Sequence, residues 1–162
     1  MSCERKISDK EVEEKIFHDA FTEIVNSTFI DKRIYTRIPN KDQINDPNFI
    51  AEIKAIERDI FDIVIVIGER FSDIKDIKSK RFIFKDINEL PKSESFKNWE
   101  RKYKKFGGAM SFSKITLGKT KESGSLDVSY YCGEKCGLGT KVHLKKINGK
   151  WKVIKTEGTW IS

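Results

Sequence analysis

A chain of 162 residues has the size of one ordinary domain and can bury a core without a metal ion or several crosslinks. The composition is 38% hydrophobic and 35% charged, with both signs of charge spread along the chain. This is typical of a folded globular domain and argues against an intrinsically disordered chain. The net charge of +7 implies weak attraction to anionic surfaces, but lysines and acids mostly alternate, as in Asp73–Lys78. The apolar run Ile60–Ile67 is too short to span a bilayer.

The first residues read Met-Ser-Cys-Glu-Arg-Lys, with Cys3 almost at the start. A bacterial lipoprotein whose signal peptide has been removed begins in this way, with its cysteine as the lipid-bearing residue. The alternative is a cytoplasmic protein in which Cys3 is incidental. We therefore expect a flexible tail over residues 1–7, with Cys3 as a possible lipid attachment site, followed by one domain over residues 8–162.

The first predicted helix begins at a capping box, in which the Ser8 hydroxyl and the Glu11 carboxylate satisfy each other's backbone N–H groups. Apolar residues then recur at helical spacing until near Asn26 and define one buried face. These residues are Val12, Ile16, Phe17, Ala20, Phe21, Ile24 and Val25.

The middle of the chain predicts short elements of both kinds. Arg33–Ile38 and Arg81–Ile87 alternate as strands do, whereas Ile60–Ile67 suits either a buried strand or a helix. Asp46 followed by Pro47 begins a short amphipathic helix.

A third helix is predicted just before the last third of the chain. Ser93 or Ser95 provides its N-cap, and Gly107 with Gly108 ends it. The aromatic residues Phe96, Trp99, Tyr103 and Phe106 lie along it at helical spacing.

From Met110 onward the period is two, which predicts four strands in sequence. They cover Met110–Leu117, Leu126–Cys132, Thr140–Ile147 and Trp151–Trp160. The connections are Lys121–Gly124, the cysteine loop and Asn148-Gly149, a strong hairpin signal. Since these strands are apolar on one face, they need a covering layer of helix. The fold class is α+β: an antiparallel β-meander of about four C-terminal strands, with the N-terminal and middle helices packed on one face.

Cys132 and Cys136 lie four residues apart, each followed by glycine. A disulfide is the first interpretation, because the glycines relax the backbone enough to meet its geometry, and such bonds persist in oxidising compartments. A zinc site with His143 would have three ligands where structural sites use four. A redox or nucleophilic thiol is the third interpretation, although the spacing is one residue longer than Cys-x-x-Cys.

Four aromatic residues are candidates for a partner or ligand surface: Tyr131, Trp99, Tyr103 and Trp160. Tyr131 is the most informative, because strand alternation places it opposite the core beside the cysteine loop. The alternative for all four is core packing. Both histidines, His18 and His143, fall on exposed faces, and no glycine-rich phosphate loop is present. We therefore predict no catalytic residue, cofactor or metal.

The last third of the chain resembles the tail of small exported proteins and lipoproteins of Bacteroidetes-type bacteria. The likeness lies in the Cys-Gly pair at Cys132–Gly139, in Asn148–Trp151 and in the ending Trp160–Ser162. It implies a compartment, the periplasm or the outer membrane and cell surface, more than an activity. The helix-on-meander plan is similar in general outline to cystatin-like and nuclear-transport-factor-like folds, which is an analogy of topology.

Three functional hypotheses follow. The first is a non-catalytic binding module of the cell envelope, with an unknown protein or small ligand as its partner and with membrane association through a lipid anchor. The second is an enzyme or small-ligand binder of the nuclear-transport-factor-like type, with a pocket between helix and sheet. The third is a nucleic-acid binder that uses lysines such as Lys141, Lys145 and Lys152. An apolar, filled interior would favour the first, and one contiguous basic face would favour the third.

Overall fold

The computed structural model describes residues 7–31, 39–58, 63–67, 77–89, 96–103, 105–133 and 135–162. Its helices are α1 (Asp9–Thr28), α2 (Pro47–Arg58) and α3 (Phe96–Lys102), and a 3-10 turn covers Ile87–Glu89. Its strands are β1 (Ile63–Ile67), β2 (Phe82–Asp86), β3 (Phe106–Phe112), β4 (Thr116–Leu117), β5 (Ser123–Gly133), β6 (Cys136–Ile147) and β7 (Lys150–Ile161). Cys3, the predicted strand Arg33–Ile38 and the predicted caps Ser93 and Ser95 lie outside the described residues.

The predicted α+β class is confirmed. In the described part of the chain seven strands form one sheet in the order β2-β1-β3-β5-β6-β7, with β4 paired to β5. The contacts group the chain into two compact units. The first comprises Met1–Thr28, Met110–Tyr131 and Lys135–Ser162, and the second comprises Phe29–Ala109 with Cys132–Glu134. The single domain over residues 8–162 stays a prediction.

Helix α1 of the first unit forms as its sequence predicts. Ser8 N donates to a Glu11 carboxylate oxygen at 2.9 Å, and Glu11 N donates to the Ser8 hydroxyl at 3.2 Å, which completes the capping box. The helix runs to Thr28, two residues beyond the predicted end, where the Thr28 hydroxyl bonds back to the carbonyl of Ile24 at 2.8 Å.

The core of the first unit lies between α1 and the C-terminal strands. Ile16, Ile24 and Val25 of the helix are fully buried, and the Phe21 ring packs against Phe112 at 5.7 Å between centroids. The strands bury every second residue toward the helix, as expected for a sheet with one covered face. These residues are Leu126, Val128, Tyr130, Val142, Leu144 and Trp151. We call this side of β5–β7 the core face and the opposite side the outer face.

The hairpin between β6 and β7 turns at Asn148 and Gly149, with φ of 51° and 79°. Both angles are positive, as the predicted two-residue turn requires. The pairing of β6 with β7 is antiparallel from Ile147↔Lys150 to Leu138↔Ile161, with two register shifts. Each shift leaves one extra residue on β7, Ile154 or Thr159, which is the pattern of a β-bulge.

The second unit contains a parallel pair of strands, which the sequence did not predict. β1 and β2 pair in parallel, with Ile65 opposite Phe84. The strand interpretation of Ile60–Ile67 is confirmed over Ile63–Ile67. Helix α2 begins as predicted, because the Asp46 carboxylate accepts the N–H of Asn48 at 2.9 Å.

The predicted third helix is too long at its C-terminal end. Helix α3 ends at Lys102, and Phe106 already belongs to β3, as do Gly107 and Gly108. The chain turns where Phe106 N donates to the carbonyl of Tyr103, and it becomes extended because Val64 N bonds the carbonyl of Lys105. The Trp99 and Phe106 rings do meet, at 5.9 Å between centroids, but across this turn.

The strand predicted over Met110–Leu117 is interrupted. β3 ends at Phe112 and β4 covers Thr116–Leu117. The interruption has a side-chain cause: a carboxylate oxygen of Glu13 on α1 accepts the N–H of Ile115, and the Ser113 hydroxyl accepts the N–H of Asp127. The turn after β4 lies over 119–122, and β5 begins at Ser123 within the predicted turn Lys121–Gly124.

Candidate functional site

Two of the four aromatic candidates meet on the outer face. The rings of Tyr131 on β5 and Trp160 on β7 lie 5.9 Å apart between centroids. Their side chains remain 44% and 39% exposed, although Tyr130, one residue away, is fully buried. The strand between them is β6, so the Trp160 side chain crosses a whole strand to reach Tyr131. We call this pair, together with the glycines beneath it, the aromatic platform.

The crossing depends on two glycines in β6. Trp160 pairs with Gly139 in the β6·β7 register. A Cβ at Gly139 would overlap the indole nitrogen of Trp160, and a Cβ at Gly137 would lie 2.9 Å from Trp160 Cζ3. Both glycines are buried although they lie on the outer face, which means that the indole covers them. The sequence did not predict this role, because the spacing of the two glycines assigns them to the cysteine loop.

The predicted disulfide is confirmed: Cys132 and Cys136 are bonded to each other. The bond lies at the end of the β5–β6 hairpin, next in sequence to Tyr131 on one strand and to Gly137 on the other. A loop this short gives about 2 kcal/mol in the chain-entropy model. Its main effect is therefore to restrict the conformation of the β5–β6 hairpin end, next to the aromatic platform.

The thiol chemistry of the other two interpretations is not available to this bonded pair. Two sulfur atoms joined in a disulfide offer neither thiolate ligands nor a nucleophile. His143 does not join the cysteines either, since its Nε2 atom lies 3.2 Å from a Glu157 oxygen on the outer face. Within the described ranges, no group of three or more His, Cys, Asp or Glu residues is arranged to hold a metal ion.

Four lysines share the outer face with the platform, because β6 and β7 alternate between core and outer residues. They are Lys141, Lys145, Lys152 and Lys155. Glu157 lies opposite Lys141, forms an ion pair with Lys155 and lies within hydrogen-bonding distance of His143. Hydrogen bonds from Lys155 and then from His143 hold the pKa of Glu157 below its usual value. The outer face thus has an aromatic half and a basic half.

The other two aromatic candidates belong to the second unit. Trp99 is half-buried and packs edge-to-face on Phe106. The ammonium group of Lys102 lies 5.7 Å from the centre of the Tyr103 ring. Neither ring is part of the aromatic platform, so the candidate site is restricted to Tyr131 and Trp160.

The edge of β7 is shielded by carboxylates of α1. Trp151 N donates to Asp19 and Val153 N donates to Glu23, both at 3.2 Å. Partial burial acts to raise the pKa of Asp19, but the Trp151 N–H, His18 and Lys15 together outweigh it, and the pKa is lowered. Carboxylates and bulges at the edge of a strand hinder its pairing with the edge of another sheet.

A concave region lies beside the start of α1. This groove of about 850 Å³ is lined by residues that include Val12, Lys15 and Trp151. Its charges are already engaged, since Lys121 pairs with Asp9 at 2.7 Å and Lys146 with Glu122 at 3.1 Å. The capping bond from Ser8 lowers the pKa of Glu11, also a lining residue, whereas a general acid at neutral pH needs a raised one.

None of the helices in the described ranges is long and apolar enough to cross a membrane. No protein family, curated protein or solved structure matches this chain.

Proposed function

We propose that this protein is a non-catalytic binding module of an oxidising compartment, the bacterial cell envelope. Its partner is a polypeptide segment that has an apolar stretch next to an acidic stretch. The apolar stretch packs on the aromatic platform, and the acidic stretch lies over the basic half of the outer face. A module of this kind gains affinity from a rigid aromatic anchor and orientation from the surrounding charges.

The observation that carries this proposal is the crossing of Trp160 over Gly137 and Gly139 to reach Tyr131. A large aromatic pair whose rings stay more than a third exposed does not complete a core. Gly137 and Gly139 beneath the pair have no side chain, and this leaves room for the Trp160 indole on the solvent side of β6. Exposed aromatic surface of this kind is typical of interaction sites.

Charge complementarity supports an acidic partner. The chain carries a net charge of +7, and four lysines lie on the same face as the platform. Glu157 offsets part of this charge, because it is held by Lys155 and His143. Attraction of this strength orients a partner and speeds its approach, while the buried apolar contact supplies most of the affinity.

The interior favours a module over an enzyme. Between α1 and the strands the space is filled by apolar side chains, and Thr28 is the buried polar residue recorded among the described residues. Its hydroxyl already bonds to the carbonyl of Ile24. In the described ranges the pKa is shifted for the carboxyl groups of Glu11, Asp19 and Glu157, and structural partners lower it in all three. An enzyme of the nuclear-transport-factor-like type would need titratable groups that face a cavity and whose pKa values are shifted to suit proton transfer.

The Cys132–Cys136 bond supports the compartment, because disulfides persist outside the reducing cytoplasm. Placement in the periplasm or at the cell surface is part of the proposal.

The proposal is tested with a short synthetic peptide that has a leucine-rich half and a glutamine-rich half, so that the acidic contribution is removed. Backbone amide shifts of the uniformly labelled protein are followed by NMR during the titration, a method that detects weak binding. We expect the largest shifts at Tyr131, Gly137, Gly139 and Trp160. Shifts centred on the groove at Val12 and Lys15, or none at all, would contradict the proposal.

Two variants sharpen the test. Trp160→Ala removes the crossing indole and should weaken binding of this peptide about tenfold, because an aromatic anchor of an interface is worth about 1 to 2 kcal/mol or more. Ile154→Ala is the matched control, since it also removes an exposed apolar side chain from β7. Equal losses from the two variants would mean that binding does not depend on the platform.

A further inference from the structure

The basic half of the outer face contains an unfavourable pairing. Lys145 on β6 and Lys152 on β7 lie directly opposite each other in the register. Directly opposed like charges destabilise a pair of strands, since their Cβ atoms are about 5 Å apart. The next outer pair toward the platform is His143 with Lys155, which places a third lysine close to Lys145 and Lys152 on the same face.

No carboxylate in the described part of the chain forms an ion pair with either lysine of the first pair. The nearest acid on this face, Glu157, forms an ion pair with Lys155 and contacts His143. Glu157 lies beyond these pairs, opposite Lys141. The charge therefore increases along the outer face from the aromatic platform toward the Asn148–Gly149 turn.

We propose that Lys145 and Lys152 form an oxyanion subsite that holds clustered carboxylates of the acidic stretch of the partner. This inference rests on the proposed function, because it identifies which part of the partner occupies the basic half. Two ammonium groups on neighbouring strands can converge on one carboxylate, and each keeps its hydrogen-bonding capacity for it. A bound carboxylate reduces the repulsion between the two ammonium groups. The affinity for the acidic stretch therefore includes the free energy that this repulsion costs the free protein.

The subsite also gives the partner a direction. With the platform at Trp160 and the facing lysines near the turn, the apolar stretch lies over the end of the hairpin that holds the disulfide. The acidic stretch lies toward Asn148 and Gly149. A partner with the two stretches too close together cannot reach both halves at once.

The experiment compares two peptides that differ in one half: leucine-rich with glutamate-rich, and leucine-rich with glutamine-rich. Wild-type protein should bind the glutamate peptide about threefold to tenfold more tightly at low salt, the value of two exposed ion pairs. This advantage should disappear in high salt, because exposed charges are screened. In the double variant Lys145→Gln/Lys152→Gln most of this advantage should be lost, and only the smaller attraction of the remaining charges, among them Lys141 and Lys155, should stay at low salt.

The matched control is Lys114→Gln/Lys119→Gln, which removes the same charge from two exposed lysines outside the basic half. It should keep the preference for glutamate. If the two double variants lose the preference equally, the effect is one of net charge and the subsite is overturned. The subsite is also overturned if wild-type protein never distinguishes the two peptides.

Failure of the subsite and failure of the proposed function have different signatures. Binding of the glutamine peptide depends on the platform and not on the lysines. The weaker binding of this peptide by Trp160→Ala therefore tests the proposed function separately from the subsite. Tighter binding of a single-stranded oligonucleotide than of the glutamate peptide would assign the basic half to nucleic acid and overturn the polypeptide assignment.

A thermal measurement on the free protein gives an independent readout. If Lys145 and Lys152 repel each other, Lys145→Gln/Lys152→Gln should unfold at a temperature equal to or above that of wild type. A lower unfolding midpoint would contradict the repulsion on which the subsite is based.

Discussion

The two faces of β5–β7 differ in exposure, although alternate residues of the same strands form them. On the core face, Tyr130 and Leu144 are buried under α1 and exclude water. On the outer face, the rings of Tyr131 and Trp160 contact each other but stay exposed. The Trp160 indole lies over two glycines of β6, where any side chain would collide with it. Residues that fill the core and aromatic residues left open to solvent thus occupy opposite faces of a single sheet. Changes on one face should therefore alter folding, and changes on the other should alter binding.

The largest effect is expected from the core face. Ile24→Ala should lower the free energy of unfolding by about 2 to 5 kcal/mol, because it leaves a cavity at a fully buried helix position. Urea denaturation measures this change. Ile154→Ala removes side-chain atoms from a residue that is 54% exposed and should cost about 0.5 kcal/mol or less. Similar costs for both would contradict the separation.

The next effect concerns the hairpin end. Reduction of the Cys132–Cys136 bond by a dithiol should lower the free energy of unfolding by about 2 kcal/mol, the entropy of the released loop. It should also weaken peptide binding at the platform, since Tyr131 and Gly137 adjoin the two cysteines. The variant Cys132→Ala/Cys136→Ala is the control and should not respond to the reductant. Unchanged binding after reduction would mean that the platform stands without the bond.

A smaller effect is expected at the edge of β7. Asp19→Ala leaves the N–H of Trp151 without its acceptor and should cost about 1 to 2 kcal/mol at neutral pH. The contribution depends on pH. Since the pKa of Asp19 is lower in the folded protein, its stabilisation is complete above the unfolded pKa and is lost as pH falls through the folded value.

Urea denaturation of wild type and Asp19→Ala across acidic pH checks this dependence. The difference between them should shrink as pH falls. Glu14→Ala is the control, because Glu14 forms an exposed pair with Lys10 at 3.8 Å and should change stability by about a few tenths of a kcal/mol at most. A difference that grows toward low pH would refute the role of the Asp19 carboxylate.

The smallest change in stability should accompany a clear change in binding. Gly139→Ala places a Cβ where the Trp160 indole lies, so the ring must move off β6. We expect less than about 1 kcal/mol of destabilisation, since the displaced ring is partly exposed already. Acrylamide quenching of the tryptophan fluorescence, to which Trp160 contributes beside Trp99 and Trp151, should increase, and peptide binding should weaken. Gly158→Ala is the matched control, because a Cβ there meets no atom within 4 Å.

The sequence determined the parts of the fold that depend on neighbouring residues. The capping box at Ser8 and Glu11, the apolar face of α1 and the Asn148-Gly149 turn each follow from contacts within one turn or one hairpin. The Cys132–Cys136 bond belongs to this group, because a loop of this length brings the two sulfur atoms together in any hairpin of suitable geometry.

Tertiary structure decided the elements whose form depends on distant partners. The parallel pairing of β1 with β2, the end of α3 at Lys102 and the interruption of β3 all arise from hydrogen bonds between segments far apart in sequence. Local patterns favoured a longer helix and a continuous strand there, and pairing with other segments overrode them.

The candidate site divides in the same way. Strand alternation was enough to place Tyr131 on the exposed side, but nothing local to Trp160 shows that it crosses β6 to meet Tyr131. That contact requires Gly139 to face Trp160, and the opposition of Lys145 and Lys152 requires the same register. The register is set by two bulges on β7 and by the packing of the whole core face. Because one extra residue reverses which face a side chain occupies, only the folded sheet decides which residues share a surface.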